Sequence, residues 1–131
     1  MNMKLTPCPC GSTKKFSDCC SCYIDSNQPA PTAEALMRSR YTAYTLLNEN
    51  YLLATWHSST RPAVLGLANE VPLKWLGLKV GRHEQLDAGH AIVEFDARYK
   101  LNGRAHRLQE VSRFVREDGL WFYVEGEIAK T

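Results

Sequence analysis

Beyond Cys22 the sequence contains no cysteine, nowhere does it hold eighteen consecutive apolar residues, and its two signs of charge nearly cancel, with 16 Lys and Arg against 14 Asp and Glu. Each shortage removes a class of protein. Without a long apolar run there is no candidate membrane-spanning helix. The first ten residues lack the apolar core of a secretory signal, so a cytoplasmic protein is expected. A formal charge of +2 and a pI near 8.3 fall short of a dedicated DNA-binding protein, which carries a basic stripe and a pI above about 9. No nucleophile elbow, phosphate-binding loop or pair of catalytic carboxylates is present. The reading therefore leans away from an enzyme.

What is present is ordinary globular composition, 44% hydrophobic and 23% charged over 131 residues, enough for one domain with a small appendage. All five cysteines lie in the first 22 residues. Residues 1–23 have too few apolar side chains to fold around a core of their own. Residues 24–31 are polar and hold Pro29 and Pro31, which marks an extended linker. Residues 32–131 then form the larger domain.

The cysteines read as metal ligands. Cys8, Cys10, Cys19 and Cys20 make two closely spaced pairs across a short loop, the arrangement by which a tetrahedral ion closes a minimal fold. Gly11 and Ser12 permit the tight turn, and Phe16 offers one sizeable apolar side chain. Four thiolates and a divalent ion carry a net charge of two minus, which Lys14 and Lys15 would offset. Disulfides are the rival reading, disfavoured by the cytoplasmic expectation and by the strain of bridging neighbouring cysteines. A redox pair is the other rival, but the spacing is not C-x-x-C. Cys22 is either a free thiol or a substitute ligand. Four thiolates suit zinc, with iron as the alternative.

In the larger domain Thr32 reads as an N-cap, and Ala33, Leu36, Met37, Tyr41, Tyr44 and Leu47 recur at helical spacing on one face. Arg38 and Ser39 fall outside that stripe and Arg40 borders it. A second helix is expected over residues 51–56, and one or two further helical turns over residues 63–69. From Leu73 the period becomes two, with Leu76, Leu78 and Val80, then Ala91, Val93, Phe95, Ala97 and Tyr99, facing one way. Turn chemistry at Asp87-Ala88-Gly89, Asn102-Gly103 and Glu117-Asp118-Gly119 divides four hairpin strands. The fold class is α+β, with helices covering one face of a curved antiparallel sheet.

The stretch C-P-C-G-S-T-K-K-F-S-D-C-C, residues 8–20, resembles the SEC-C motif, found at the tail of the SecA translocation ATPase and in stand-alone proteins. Many SEC-C sequences have Cys-His where this chain has Cys19-Cys20. LMRSRYTAY, YLLATWH, WLGLKV, Ser112-Arg113-Phe114 and WFYVEG resemble YchJ-type proteins. The resemblance implies a nuclear transport factor 2-like domain, a cone of helices on a strongly curved sheet with an interior pocket. It also implies contact with a protein partner, a SecB-type export chaperone or the ribosome, for which Lys14 and Lys15 are the candidate residues. Some YchJ-type proteins carry a second SEC-C copy at the C-terminus, and this chain has one.

An enzyme or small-ligand binder using the cone pocket is the alternative function. Its candidate residues are Arg38, Tyr41, His57, Glu94, Arg98, Glu110 and Tyr123. The plainer expectations are that His57 caps helix carbonyls, that Glu94, Arg98, Glu110 and Arg113 form cross-strand ion pairs, that the aromatics are core, and that His106 is solvated.

Overall fold

The computed structural model describes residues 6–67 and 73–128. A single 3-10 turn (Phe16–Asp18) and a one-turn helix α1 (Ser21–Ile24) follow the first cysteines. Two helices come next, α2 (Ala33–Thr45) and α3 (Glu49–Ala54). Four strands complete the chain: β1 (Lys74–Asp87), β2 (His90–Leu101), β3 (Arg104–Glu117) and β4 (Leu120–Ile128). They form one antiparallel sheet in the order β1-β2-β3-β4, curved, with the helices on its inner face. The expected α+β architecture is the one observed.

Local chemistry accounts for most of the elements. The Thr32 hydroxyl accepts the Ala35 N–H at 3.0 Å and caps α2. The Asn48 side chain caps α3 in the same way, through the Tyr51 N–H at 3.1 Å. The second helix, expected over residues 51–56, therefore starts and ends two residues earlier, with Asn48 as its cap. Asn102-Gly103 and Asp118-Gly119 all have positive φ, the conformation of two-residue hairpin turns matched to strand twist. Of the helical turn expected over residues 63–69, residues 63–66 are not helical, and residues 68 and 69 lie outside the described residues.

Along β2, Ala91, Val93, Phe95 and Ala97 are buried, while Glu94, Asp96 and Arg98 take the other face, as the alternation predicts. In β1 the alternation fails at Leu76. A register shift between Trp75 and Gly77 keeps Trp75, Leu78 and Val80 on the inner face and turns Leu76 outward.

The larger departure concerns α2. Of its expected apolar stripe Ala33, Leu36, Met37 and Tyr41 are buried and Tyr44 half-buried, while Leu47 lies beyond the helix end and is exposed; Ser39, Arg40 and Thr42 are buried as well. The helix is enclosed by the sheet, by α3 and by the cysteine segment. Cys8, Cys10, Phe16, Cys20 and Ile24 belong to the same buried cluster as Leu36, Met37, Tyr41, Val93, Phe95 and Phe114. Residues 25–29 are exposed, yet Ile24, read as linker, ends α1 inside the core. The isolation expected across residues 24–31 is not seen.

Arg40 shows how the polar side chains are accommodated. It is 3% exposed, and Nη1 donates to the Leu52 carbonyl and to the Thr55 hydroxyl, each at 2.7 Å. Those groups lie at the C-terminus of α3, where carbonyls lack helical partners. The guanidinium also sits 4.4 Å from the Tyr123 ring centroid and 5.1 Å from that of Trp56, a desolvated cation–π arrangement. Arg40 thus fastens α2 to α3 and to β4. Truncation in Arg40→Ala should lower the unfolding free energy by about 3 kcal/mol, read from urea denaturation; a loss below about 0.5 kcal/mol would contradict the fastening role.

Candidate metal centre

The first cysteine pair lies on a small backbone loop. The Cys8 N–H donates to the Lys14 carbonyl at 2.8 Å, the Phe16 N–H to the Thr6 carbonyl at 2.9 Å, and the Gly11 N–H to the Cys8 carbonyl at 3.2 Å. Gly11 turns the loop with φ of 78°, and a Cβ there would stand 2.9 Å from the Leu78 carbonyl oxygen of β1. Only glycine meets both conditions. The second pair follows the 3-10 turn, with Cys20 at the start of α1.

The four Sγ atoms of Cys8, Cys10, Cys19 and Cys20 all lie within 4.8 Å of one another. Cys10 and Cys19 are 3.6 Å apart, and Cys19 and Cys20 4.0 Å. A tetrahedral ion with metal–sulfur bonds of about 2.3 Å requires sulfur–sulfur distances of about 3.8 Å. The donor set therefore fits a thiolate-bound metal. All five cysteines are free thiols, and the disulfide rival finds no pair. Cys22 stands outside the group, its Sγ directed at the Ser17 carbonyl at 3.7 Å.

Protonation supports the same fit. A hydrogen bond from Cys20, and then one from Cys8, holds the Cys10 thiol far below its ordinary value. Cys20 is held correspondingly high, first by that bond, and burial raises Cys19. One thiolate is stabilised at the expense of its neighbours. A divalent cation is what allows four buried thiols to ionise together. Filled entirely by protein sulfur, such a site leaves no open coordination position and works as a structural cross-link.

Residues outside the loop complete the centre. The Thr42 hydroxyl, fully buried, donates to Cys20 Sγ at 3.4 Å and lies 3.7 Å from Cys8 Sγ. Ser12 Oγ is 3.1 Å from Cys19 Sγ. Arg38 Nη1 donates to the Cys10 carbonyl at 2.8 Å, and its Nε to Glu34 at 2.9 Å. Arg38 and Thr42 are four residues apart on α2, so one helix face serves the cluster. Thr42 was not among the residues singled out from sequence. The available signal was the pair of polar side chains four apart, both off the apolar stripe.

The other candidates do not converge on one pocket. Tyr41 is core, edge-on to Trp75 with centroids 5.6 Å apart, and burial pushes its phenol up to about 12. His57 caps no helix. Its Nε2 meets Glu117 at 2.9 Å and its Nδ1 meets Ser59 at 2.7 Å. Glu94 and Arg98 occupy the outer face of the sheet, away from the helices. The cross-strand ion pairs that do form are Arg107 with Asp96 and Arg113 with Glu125 and Glu127. Glu110 and Tyr123 come together on the inner face beside Arg40, and Glu110 also lines a depression with Glu94. Burial raises the Glu110 carboxyl against the opposing pull of Arg40, and burial likewise pushes Tyr123 up to about 12. Lys14 and Lys15 are exposed at the loop.

A thiol cluster closed onto a helix-and-sheet cone defines a SEC-C motif protein with a nuclear transport factor 2-like domain. Residues 6–21 match the SEC-C motif, and residues 32–126 match the family described as YchJ, middle NTF2-like domain. The chain belongs to the YchJ family. It is 54% identical to a UPF0225 protein of Polaromonas naphthalenivorans, over 93% of this chain and 97% of that one. A UPF0225 protein of Chromobacterium violaceum is 53% identical, over 93% of each. Among solved structures, a SEC-C motif containing protein from Rhodopseudomonas palustris superposes with a TM-score of 0.86 at 32% identity, covering 95% of this chain and all of that one. One from Psychrobacter arcticus gives 0.81 at 27%, covering 100% of this chain and 87% of that one.

Because the thiols share a core with α2, stripping the metal with a chelator should lower the melting temperature of the whole chain in one cooperative step. Two separate transitions would show a tethered, independent cysteine unit. Thr42→Val, nearly isosteric, should weaken metal affinity by about tenfold while circular dichroism stays unchanged; unaltered affinity in a chelator competition would remove Thr42 from the site.

Proposed function

We propose that the protein is a zinc-dependent adaptor whose cysteine loop is its contact surface and whose cone domain is the scaffold that holds the loop rigid. The observation that carries this reading is the contrast between the two ends of the loop. Its thiols are sunk into the core, while Lys14 and Lys15 stand exposed on the same short turn. A metal-fixed backbone presents those two charges with little conformational freedom to lose on binding, which favours recognition. Zinc is the proposed ion because four thiolates with no open position call for no redox role; iron suits the same donor set. The proposed compartment is the cytoplasm, where free thiols persist.

The proposed partner is a protein assembly, an export chaperone of the SecB type or the ribosome, by likeness to SEC-C modules. Among the described residues no helix is long and apolar enough to cross a membrane. The catalytic alternative draws less support, because the depression that Glu94 and Glu110 both line includes neither His57, Arg98 nor Tyr123.

Metal analysis of protein purified without added metal should return about one equivalent of zinc per chain. Immobilised protein should capture purified SecB or ribosomes, and K14E/K15E should weaken that capture at least about tenfold with metal content unchanged. Capture of neither assembly, or capture indifferent to the two lysines, would overturn the adaptor reading.

A further inference from the structure

The small net charge conceals an uneven distribution. At the end of the sheet nearest the Asn102-Gly103 turn stand Lys74, Lys79, Arg98, Lys100, Arg104 and Arg107, all exposed. The one acid among them is Asp96, which Arg107 takes through two bonds of 2.8 and 3.0 Å. At the opposite end Glu84, Asp87, Glu117 and Asp118 gather around the other two turns, with Arg82 bonded to Glu84 and Arg116 next to Glu117.

The register makes the basic end costly. Lys74 pairs directly with Lys100 across β1 and β2, and Arg98 with Arg107 across β2 and β3. Like charges placed directly opposite destabilise a sheet. Among the described residues Lys74, Arg98 and Lys100 have no ion-pair partner. Beside them the outer face dips. Gly77, opposite Arg98, has nothing within 4 Å of where its Cβ would be, and it floors a depression of about 320 Å³ lined by Lys79, Arg98 and Arg107.

The same end has an aromatic stack on its inner face. The Tyr99 and His106 rings are paired across β2 and β3 with centroids 5.2 Å apart and planes 18° apart, and the stack ends at the exposed His106. Among the described residues β4 pairs with β3 only from Glu110 onward, and none of them pairs with the edge at residues 104–109. Across that single strand a ligand reaches the cations on one face and the ring stack on the other.

We propose that this open end of the β2–β3 hairpin binds single-stranded nucleic acid, with phosphates on Arg98, Lys100 and Lys74 and a base continuing the Tyr99–His106 stack. Unpaired cations spread over two strands fit a chain of phosphates better than one small anion, and an exposed π-face across one strand from a basic groove offers a single strand both stacking and phosphate contact. The outer surface offers too few cations to follow a duplex.

The test is fluorescence anisotropy of a labelled oligouridylate of about a dozen nucleotides on the intact metal-loaded chain. Binding should fall with salt, with a log–log slope of about −2 for three phosphates on a single strand. R98E/K100E should lose at least about tenfold in affinity. Because that variant converts both like-charged registers into opposite-charged ones, its melting temperature should hold or rise, so weakened binding cannot be ascribed to misfolding. His106→Ala should lose about fivefold or more. Four outcomes would overturn the proposal: no binding at low salt; an equal loss in K14E/K15E, which reverses as many charges elsewhere; equal affinity for a duplex of the same length; or displacement by inorganic phosphate beyond its effect as salt. The K14E/K15E arm also separates this surface from the proposed adaptor contact, since the two fail independently.

Discussion

Helix α2 has to satisfy two neighbours of opposite character, and the rest of the molecule is arranged around that demand. On one side is the inner face of the sheet, lined by Val93, Phe95, Ala97 and Phe114, which wants apolar contact. On another are the thiols, which want hydrogen-bond donors and a cation. A helix enclosed by both cannot be amphipathic in the ordinary sense of one wet and one dry face. Its polar residues are buried as well, and each buried polar group must find a partner. Ser39 bonds to the Leu36 carbonyl and to the Tyr51 hydroxyl, Thr42 to the thiols, and Arg40 to the end of α3. Among the described residues no buried side-chain nitrogen or oxygen is left without a partner.

That enclosure changes what the cysteine segment is. A short chain with four thiols and a single phenylalanine in its loop has little hydrophobic energy of its own. Here it gains the rest by lying against a helix that already belongs to a larger core, while the helix gains partners for Arg38 and Thr42. Thr42 and Arg38 link the two by hydrogen bonds in addition to packing. The metal centre and the cone are therefore one folding unit in the packing sense, and a change at either is felt at the other.

The sheet shows a related economy at its edges. Free strand edges invite pairing with other chains, and two of those here are occupied by the molecule itself. The His57 N–H donates to the Tyr123 carbonyl, the Tyr123 N–H to the Thr55 carbonyl and the Thr60 hydroxyl to the Val124 carbonyl, so residues 55–60 lie along β4. The thiol loop presses Gly11 onto Leu78 of β1. Among the described residues the first half of β3 has no such cover, and Arg104 and Arg107 stand exposed along it. Charge protects an open edge against self-association, and the same charge makes the edge available to an anionic ligand.

Much of this was legible from residue types alone. Periodicity located α2 and the four strands, Asn-Gly and Asp-Gly marked two of the turns, and the cysteine spacing grouped the four thiols that the structure brings within 4.8 Å of one another, because each of these depends on neighbours a few residues away. The bulge at Leu76, the burial of Arg40 and the position of Trp56, outside α3 and bridged to Tyr123, depend on segments far off in the chain. So did the failure of His57 and Arg98 to meet Glu110. Sequence determined which elements form and which side chains carry metal-binding chemistry. Only the tertiary structure decided that the cysteine loop is packed into the core, that Thr42 lies against its thiols, and that Lys74, Arg98 and Lys100 gather at one end of the sheet, because burial and register are set by strands and helices brought together from distant positions.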